Sequence, residues 1–141
     1  GTPDDVLQVR ITNEYRRMMG RHALAIHEKL MRSAHGHSEW MSLTGKFSHT
    51  NDENPKLRTP GDRMRAQGYS SGAGENIAMT GGGARGAHEG WIHSSGHHRN
   101  ILFESHTEMG VGSLGNIWTQ NFGGGQEYIG NLGGAGVIDD K

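Results

Sequence analysis

Met109-Gly110-Val111-Gly112-Ser113-Leu114-Gly115-Asn116-Ile117-Trp118-Thr119-Gln120-Asn121-Phe122 is the stretch on which the fold turns. Gly110 to Gly115 matches the spacing of a dinucleotide-binding fingerprint, which would demand a strand, a tight turn and a helix N-terminus for the pyrophosphate. Ile117 to Phe122 does not continue as a helix. Trp118, Gln120 and Phe122 alternate onto one side, as in a strand, and Gly115-Asn116 is turn chemistry. The segment therefore reads as a hairpin, Met109–Leu114 and Ile117–Phe122, and a doubly wound nucleotide fold is excluded.

Upstream of the hairpin the chain reads as helices. Thr2, Pro3 and Asp5 form a helix start, and Leu7, Ile11, Tyr15 and Met18 recur as a buried stripe that Gly20 ends. A second helix is expected from about Leu24 to Leu43, with Leu30, Ala34, His37 and Met41 inward and Gly45 as its stop. Thr59-Pro60-Gly61-Asp62 opens a short third helix that closes at Gly68. Glu75 to Met79 reads as extended. The run Gly81-Gly82-Gly83 leads into a fourth helix from Ala84 to about Ser94, with Ala84, Ala87 and Trp91 on one face. Helices first and a hairpin last give an α+β layered domain over residues 1–122, with a Gly-rich C-terminal tail or linker over 123–141.

Composition narrows the function classes. The chain has 141 residues, room for one modest core. Its apolar share of 32% is low because 24 residues are glycine, which points to turns and close backbone approaches. A formal net charge of −1 offers no basic footprint for nucleic acid. No apolar run reaches membrane-spanning length. The absence of cysteine removes disulfides and thiol chemistry together. The start, Gly1-Thr2-Pro3, has no leader-like basic and apolar regions, so the expectation is a cytosolic chain or a mature or trimmed one. Ten histidines predict acid sensitivity.

Several motifs reduce to blander readings. Gly68-Tyr69-Ser70-Ser71-Gly72 matches a nucleophile elbow but follows a helix instead of a strand. His88 and His93 stand five apart, about 140° around a helix, and cannot hold one ion from the same face. They are expected on the surface, as are His22, His35, His98 and His106. The Asn51–Asn54 turn lacks the alternating ligands of a calcium loop. The seven methionines are expected to fill packing gaps. His37 is read as a core histidine bonded to backbone, with a cleft-lining role as the second option.

Phe47-Ser48-His49, Gly74-Glu75-Asn76-Ile77-Ala78 and Ser94-Ser95-Gly96-His97 each place an imidazole or carboxylate in a separate segment. If folding brings His49, Glu75 and His97 together, they make a polar cleft suited to proton transfer or zinc.

With Asn13, Arg16, Thr59-Pro60, Arg63, Gly68-Tyr69, Trp91, Asn100-Ile101-Leu102, Met109-Gly110-Val111-Gly112 and Trp118-Thr119-Gln120-Asn121-Phe122, these segments form an ordered series. It resembles the CAP superfamily, the SCP-like proteins named for cysteine-rich secretory proteins, antigen 5 and pathogenesis-related 1, of the cysteine-free bacterial type. The resemblance runs from about Val6 to Phe122. It implies a three-layer α-β-α sandwich with a small antiparallel sheet between helices, and a cleft of two histidines and two glutamates that in some members holds a divalent ion. Motif matching assigns His49, Glu75 and His97 to that cleft, with Asn76 beside them. Ser94 stands where the second glutamate is usual, so zinc held by His49 and His97 would be weakly bound. No organic cofactor is implied.

The resemblance also implies a secreted or cell-envelope location. The function expected is a binding or interaction module for a small molecule, lipid, peptide or glycan, of undetermined oligomeric state. The alternative is a zinc-dependent hydrolase with Glu75 as general base. A serine hydrolase using Ser94 or Ser48 lacks an oxyanion loop, and a purely structural polar cluster is the fourth option.

Overall fold

The computed structural model describes residues 1–125. Ten elements follow in order: α1 (Pro3–Met18), β1 (Ala25–Ile26), α2 (Glu28–Thr44), a 3-10 turn (Pro55–Leu57), α3 (Pro60–Ala66), β2 (Gly72–Met79), α4 (Gly83–Ile92), α5 (Ser95–Leu102), β3 (Glu108–Leu114) and β4 (Ile117–Gly123). The sheet runs β1-β3-β4-β2; β1 lies parallel to β3, and the β3–β4 and β4–β2 pairs are antiparallel. Helices cover both faces, giving the three-layer α+β sandwich that the resemblance implies. All seven residues of β4 are buried as a result.

The hairpin sets the layers. On one face Met109, Val111, Trp118 and Phe122 meet Val9 and Ile11 of α1, Ala84, Ala87 and Trp91 of α4, and Ile101 of α5 in the main core. On the other, β3 presents Gly110 and Gly112 to α2. A Cβ at Gly110 would sit 2.2 Å from the backbone of Leu30 and Met31, and one at Gly112 would sit 2.2 Å from that of His35. The glycines that mimic a nucleotide fingerprint thus let a helix lie directly on the strand. Ile77, Ile117 and Met41 form a smaller cluster on this α2 side.

Helix starts follow their sequence signals. Thr2 with Asp5 and Thr59 with Asp62 both close reciprocal capping boxes, and Gly45 ends α2 in the left-handed region at φ 73°. Other expectations fail. Leu24–Ile26 belongs to a strand approach, and α2 starts after His27, whose Nδ1 accepts from Lys29 N at 3.1 Å. Helix α4 stops at Ile92, and α5 and β1 have no counterpart in the expected elements.

The buried stripe of α1 is also rotated. Leu7 and Met18 are exposed, whereas Gln8, Thr12, Asn13 and Arg16 are fully buried. That face is polar because hydrogen bonds satisfy it. Gln120 Nε2 donates to Gln8 Oε1 and Thr12 Oγ1, and Asn13 brackets the backbone of Leu24 in both directions. Arg16 donates to the carbonyls of His22, Ile101 and Phe103. Met18, Met19 and Met79 are likewise exposed, so only four of the seven methionines, Met31, Met41, Met64 and Met109, pack in the interior.

The tail reading falls mostly outside the described residues. Within them, Gly124 N donates to Ser71 O at 2.9 Å, and Gly125 N donates to the Tyr69 hydroxyl.

A candidate polar cleft at His49 and Glu75

Glu75 lies in the middle of β2, paired with Asn121 of β4, and its side chain points to the α2 side of the sheet. Its carboxylate is buried and fully engaged. Arg63 Nη2 donates to Oε1 at 2.8 Å and Oε2 at 3.0 Å, Asn121 Nδ2 donates to Oε2 at 2.9 Å, and His49 Nδ1 lies 2.9 Å from Oε1. Burial pushes the carboxyl's pKa up, but the His49 hydrogen bond and the charges of Arg63 and His37 outweigh it, and the pKa ends below its ordinary value. Glu75 is therefore an anion held in place.

Arg63 reaches this position from α3, whose capping box orients its first turn. Its Nη1 donates to the carbonyls of Leu57 and Arg58, and Nη2 also donates to His49 O at 2.9 Å. One guanidinium thus ties the 49–58 loop to the sheet. Within that loop Asn51 Oδ1 accepts from the amides of Glu53 and Asn54, while Lys46 meets Asp52 and Glu53, which makes the segment the polar turn expected of it.

His49 differs from its partners in exposure. About half of its side chain faces solvent while its Nδ1 rests on the buried carboxylate. That hydrogen bond orients the ring, as a carboxylate orients an imidazole that binds a metal or moves a proton. Beside it opens a hollow of ≈ 410 Å³ whose lining includes His49, Pro60, Met64, Gly74 and Glu75.

His97 stands on α5, outside that lining but close enough for the charge of His49 to act on it; burial first, then that charge, lowers its pKa. Its Nδ1 is buried without a partner. Asn76 fixes the approach of α5: its Nδ2 donates to Gln120 Oε1 and, at 3.3 Å, to His97 O, while Asn100 Nδ2 donates to Asn76 Oδ1 and Glu75 O. Ser94 is the N-cap residue of α5, and its side chain makes no capping hydrogen bond.

His37 takes the first of the two roles considered for it, a core histidine bonded to backbone, and it does not line the hollow at His49. The ring is buried, Nε2 donates to Ser48 O at 2.7 Å, and the same nitrogen lies 4.0 Å from Glu75 Oε1. Burial is the main cause of its lowered pKa. Of the other histidines expected on the surface, His22, His35 and His93 are exposed and His98 is half-buried, whereas His88 and His106 are buried. His88 is buried edge-on to Tyr15, His98 Nε2 lies 2.7 Å from the Tyr15 hydroxyl, His106 is buried in a stack with Phe122, and His22 Nε2 lies 2.8 Å from His106 O. Arg63 and Asn121 carry the site as much as the histidines do; both stand in the motif series of the sequence, but nothing in that series assigns either a role at the cleft.

Among the described residues no group of three or more His, Cys, Asp or Glu side chains is disposed to hold a metal ion. Among those residues, too, no helix is long and apolar enough to cross a membrane.

Residues 9–122 match the family described as the cysteine-rich secretory protein family. The Bacillus subtilis protein YkwD is 38% identical over 117 residues, which are 81% of this chain and 44% of YkwD. An extracellular protein containing an SCP domain from Bacillus anthracis superposes with a TM-score of 0.77 at 34% identity, over 87% of this chain and 44% of that one. An outer surface protein from Borrelia burgdorferi shares the fold alone, with a TM-score of 0.70 at 17% identity, over 85% and 91% of the two chains. The chain thus spans less than half the length of the Bacillus relatives.

Proposed function

The chain belongs to the cysteine-rich secretory protein, or CAP, family, and from that premise we propose that it is a ligand-binding module of the cell envelope or extracellular space whose working group is His49. One observation carries the reading: a half-exposed imidazole at the edge of an open hollow, oriented by a buried carboxylate that is itself fixed by an arginine and an asparagine. Such support aligns a ring for a ligand before the ligand arrives, which lowers the entropy cost of binding. The extracellular and outer-surface descriptions of the Bacillus anthracis and Borrelia proteins support the location. The hollow suits a small polar molecule or one end of a lipid, peptide or glycan.

A divalent ion fits the donors loosely. His49 and His97 would hold it, with Glu75 behind His49 as the carboxylate that raises the basicity of a ligating imidazole. Bound there, the ion would act as a Lewis acid on the ligand. Ser94 adds no carboxylate, so affinity would be low. The hydrolase alternative with Glu75 as general base is the weaker reading. Glu75 already accepts from three side chains and is held ionised with a lowered pKa, which makes it a poor proton acceptor.

The test is a ¹⁵N–¹H titration of untagged protein with Zn²⁺ and with a panel of small polar acids and sugars. The expected outcome is a saturable set of shifts centred on His49, Gly74 and Glu75, lost in His49→Ala. Shifts scattered over the surface, or unchanged in His49→Ala, would overturn the assignment.

A further inference from the structure

The sheet ends in two edge strands, β1 and β2, and side chains close parts of both. Beside β1, Asn13 takes the backbone N–H and C=O of Leu24. On β2, Asn100 Nδ2 donates to Glu75 O at 3.2 Å and Trp91 Nε1 donates to Ile77 O at 3.0 Å. Those two carbonyls point away from β4, on the side where a further strand would pair. Closing them from α5 and α4 denies that part of the edge to another chain.

The N-terminal end of β2 is built differently. Gly72 pairs with Gly123 and Gly74 with Phe122, so Ala73 is an extra residue with no partner in the β4 register. Gly72 and Ala73 are exposed and Gly74 is half-buried. Among the described residues no side chain bonds to the backbone of these three as Asn100 and Trp91 do to Glu75 and Ile77. Larger residues have no room at the glycines: a Cβ at Gly72 would sit 2.7 Å from Met64 Sδ, and one at Gly74 would sit 3.2 Å from Asn100 Oδ1. The open stretch is nearly bare backbone, about 10 Å long at the usual strand rise.

That stretch borders the binding hollow. Gly72, Ala73 and Gly74 line the same ≈ 410 Å³ space as His49 and Pro60. The edge is therefore closed where α4 and α5 reach it and open where it meets the hollow. A bare strand edge is complementary to a chain whose own N–H and C=O groups recur at strand spacing, and an extended peptide has that spacing whereas a sugar or a free acid does not. His49 adds a point of attachment. The Glu75 carboxylate only accepts, so Nδ1 carries the proton of their 2.9 Å bond, and in the neutral ring Nε2 is left to accept from a ligand N–H. The ring is open to such a ligand, with about half of its side chain exposed.

We propose that the hollow takes a short extended peptide, whose backbone adds to β2 at Gly72–Gly74 and whose flank is held by His49. The inference rests on the reading of this hollow as the binding site and names the class of its ligand.

The experiment is a ¹⁵N–¹H titration of the whole chain with the blocked tetrapeptide acetyl-Ala-Val-Thr-Ala-amide and with the same peptide N-methylated at every residue, which keeps the side chains and removes the N–H donors. The unmodified peptide should give saturable shifts at Gly72, Ala73 and Gly74 at millimolar concentration. Methylation should weaken binding by about tenfold or more, as expected for the loss of one or two hydrogen bonds. No shifts at these three residues, equal affinity for the methylated peptide, or shifts centred on Ala25 and Ile26 of the other edge would each overturn the proposal. Zn²⁺, small acids and sugars serve as the comparison. If one of them shifts His49 and Gly74 saturably while the peptide does not, the peptide assignment falls and the site stands; if none of these probes shifts His49, both fall.

Discussion

Arg63 holds Glu75 through one nitrogen: Nη2 lies 2.8 Å from Oε1 and 3.0 Å from Oε2, with both side chains almost wholly buried. Breaking a buried ion pair from one side strands the other charge, which costs about 3–5 kcal/mol. Arg63→Met should therefore destabilise the protein by roughly that amount in urea unfolding. Adding Glu75→Gln should recover part of the loss, because the stranded charge is gone. A double variant as unstable as the sum of the singles would mean that Arg63 acts mainly through the Leu57 and Arg58 carbonyls.

Asn121 Nδ2 donates to Glu75 Oε2 at 2.9 Å. Removing a hydrogen bond to a charged group costs about 1.5–3 kcal/mol, which sets the expected effect of Asn121→Ala at neutral pH. The folded-state pKa of Glu75 lies below its ordinary 4.5, so its contribution is present above that value and is lost as pH falls through the folded pKa. With a donor gone the lowering is smaller. The stability gap between wild type and Asn121→Ala should be widest above pH 4.5 and close in more acidic solution; a gap that stays constant with pH would show the loss to be one of packing.

His106 makes a larger demand on acid stability. It is stacked on Phe122 with centroids 4.5 Å apart, its Nε2 lies 2.8 Å from Asn100 O, and burial lowers its pKa from 6.5 to about 4. The unfolded chain takes up this proton first, so stability is complete above pH 6.5 and falls as pH drops from 6.5 towards 4. At about 1.4 kcal/mol for each tenfold change in proton affinity, the loss is on the order of 3 kcal/mol. His106→Phe keeps the ring stack but loses the hydrogen bond to Asn100. It should be about 1 kcal/mol less stable at pH 7 and lose less on acidification to pH 4. Parallel wild-type and variant curves in thermal denaturation against pH would contradict this.

The local signals of the sequence carried the fold far because they act within a few residues. Thr2 with Asp5, Thr59 with Asp62, and Gly45 mark their helix ends in the structure as they do in the chain. The hairpin and the inward face of α2 follow from periodicity alone. What periodicity misread was the inner face of α1. A rule that equates inside with apolar points to Leu7 and Met18, whereas partners more than 80 residues away make Gln8, Thr12 and Arg16 the buried set. The site divides in the same way. His49 and Glu75 stood out as chemistry-bearing residues in separate segments, and their hydrogen bond joins positions 26 apart. Arg63 and Asn121, which fix the carboxylate, look like an ordinary helix cation and an ordinary strand amide until the tertiary structure places them.

Gly110 and Gly112 invite the last test, since their role here is room and not nucleotide contact. Both face α2, and a methyl group at either would press to 2.2 Å against helix backbone, which cannot rotate away as a side-chain tip could. Overpacking a well-filled core costs about 1–3 kcal/mol, and backbone opposition places these sites at the upper end or beyond. Gly112→Ala and Gly110→Ala should each lower stability by about 3 kcal/mol or more in denaturant titrations. Gly36→Ala, on the solvent side of the same helix with open space around it, should gain about 0.5–1 kcal/mol from helix propensity. If the β3 substitutions are tolerated as easily as the one at Gly36, then α2 does not rest directly on β3, and the layer spacing that positions His37 and Arg63 around Glu75 is not set by these glycines.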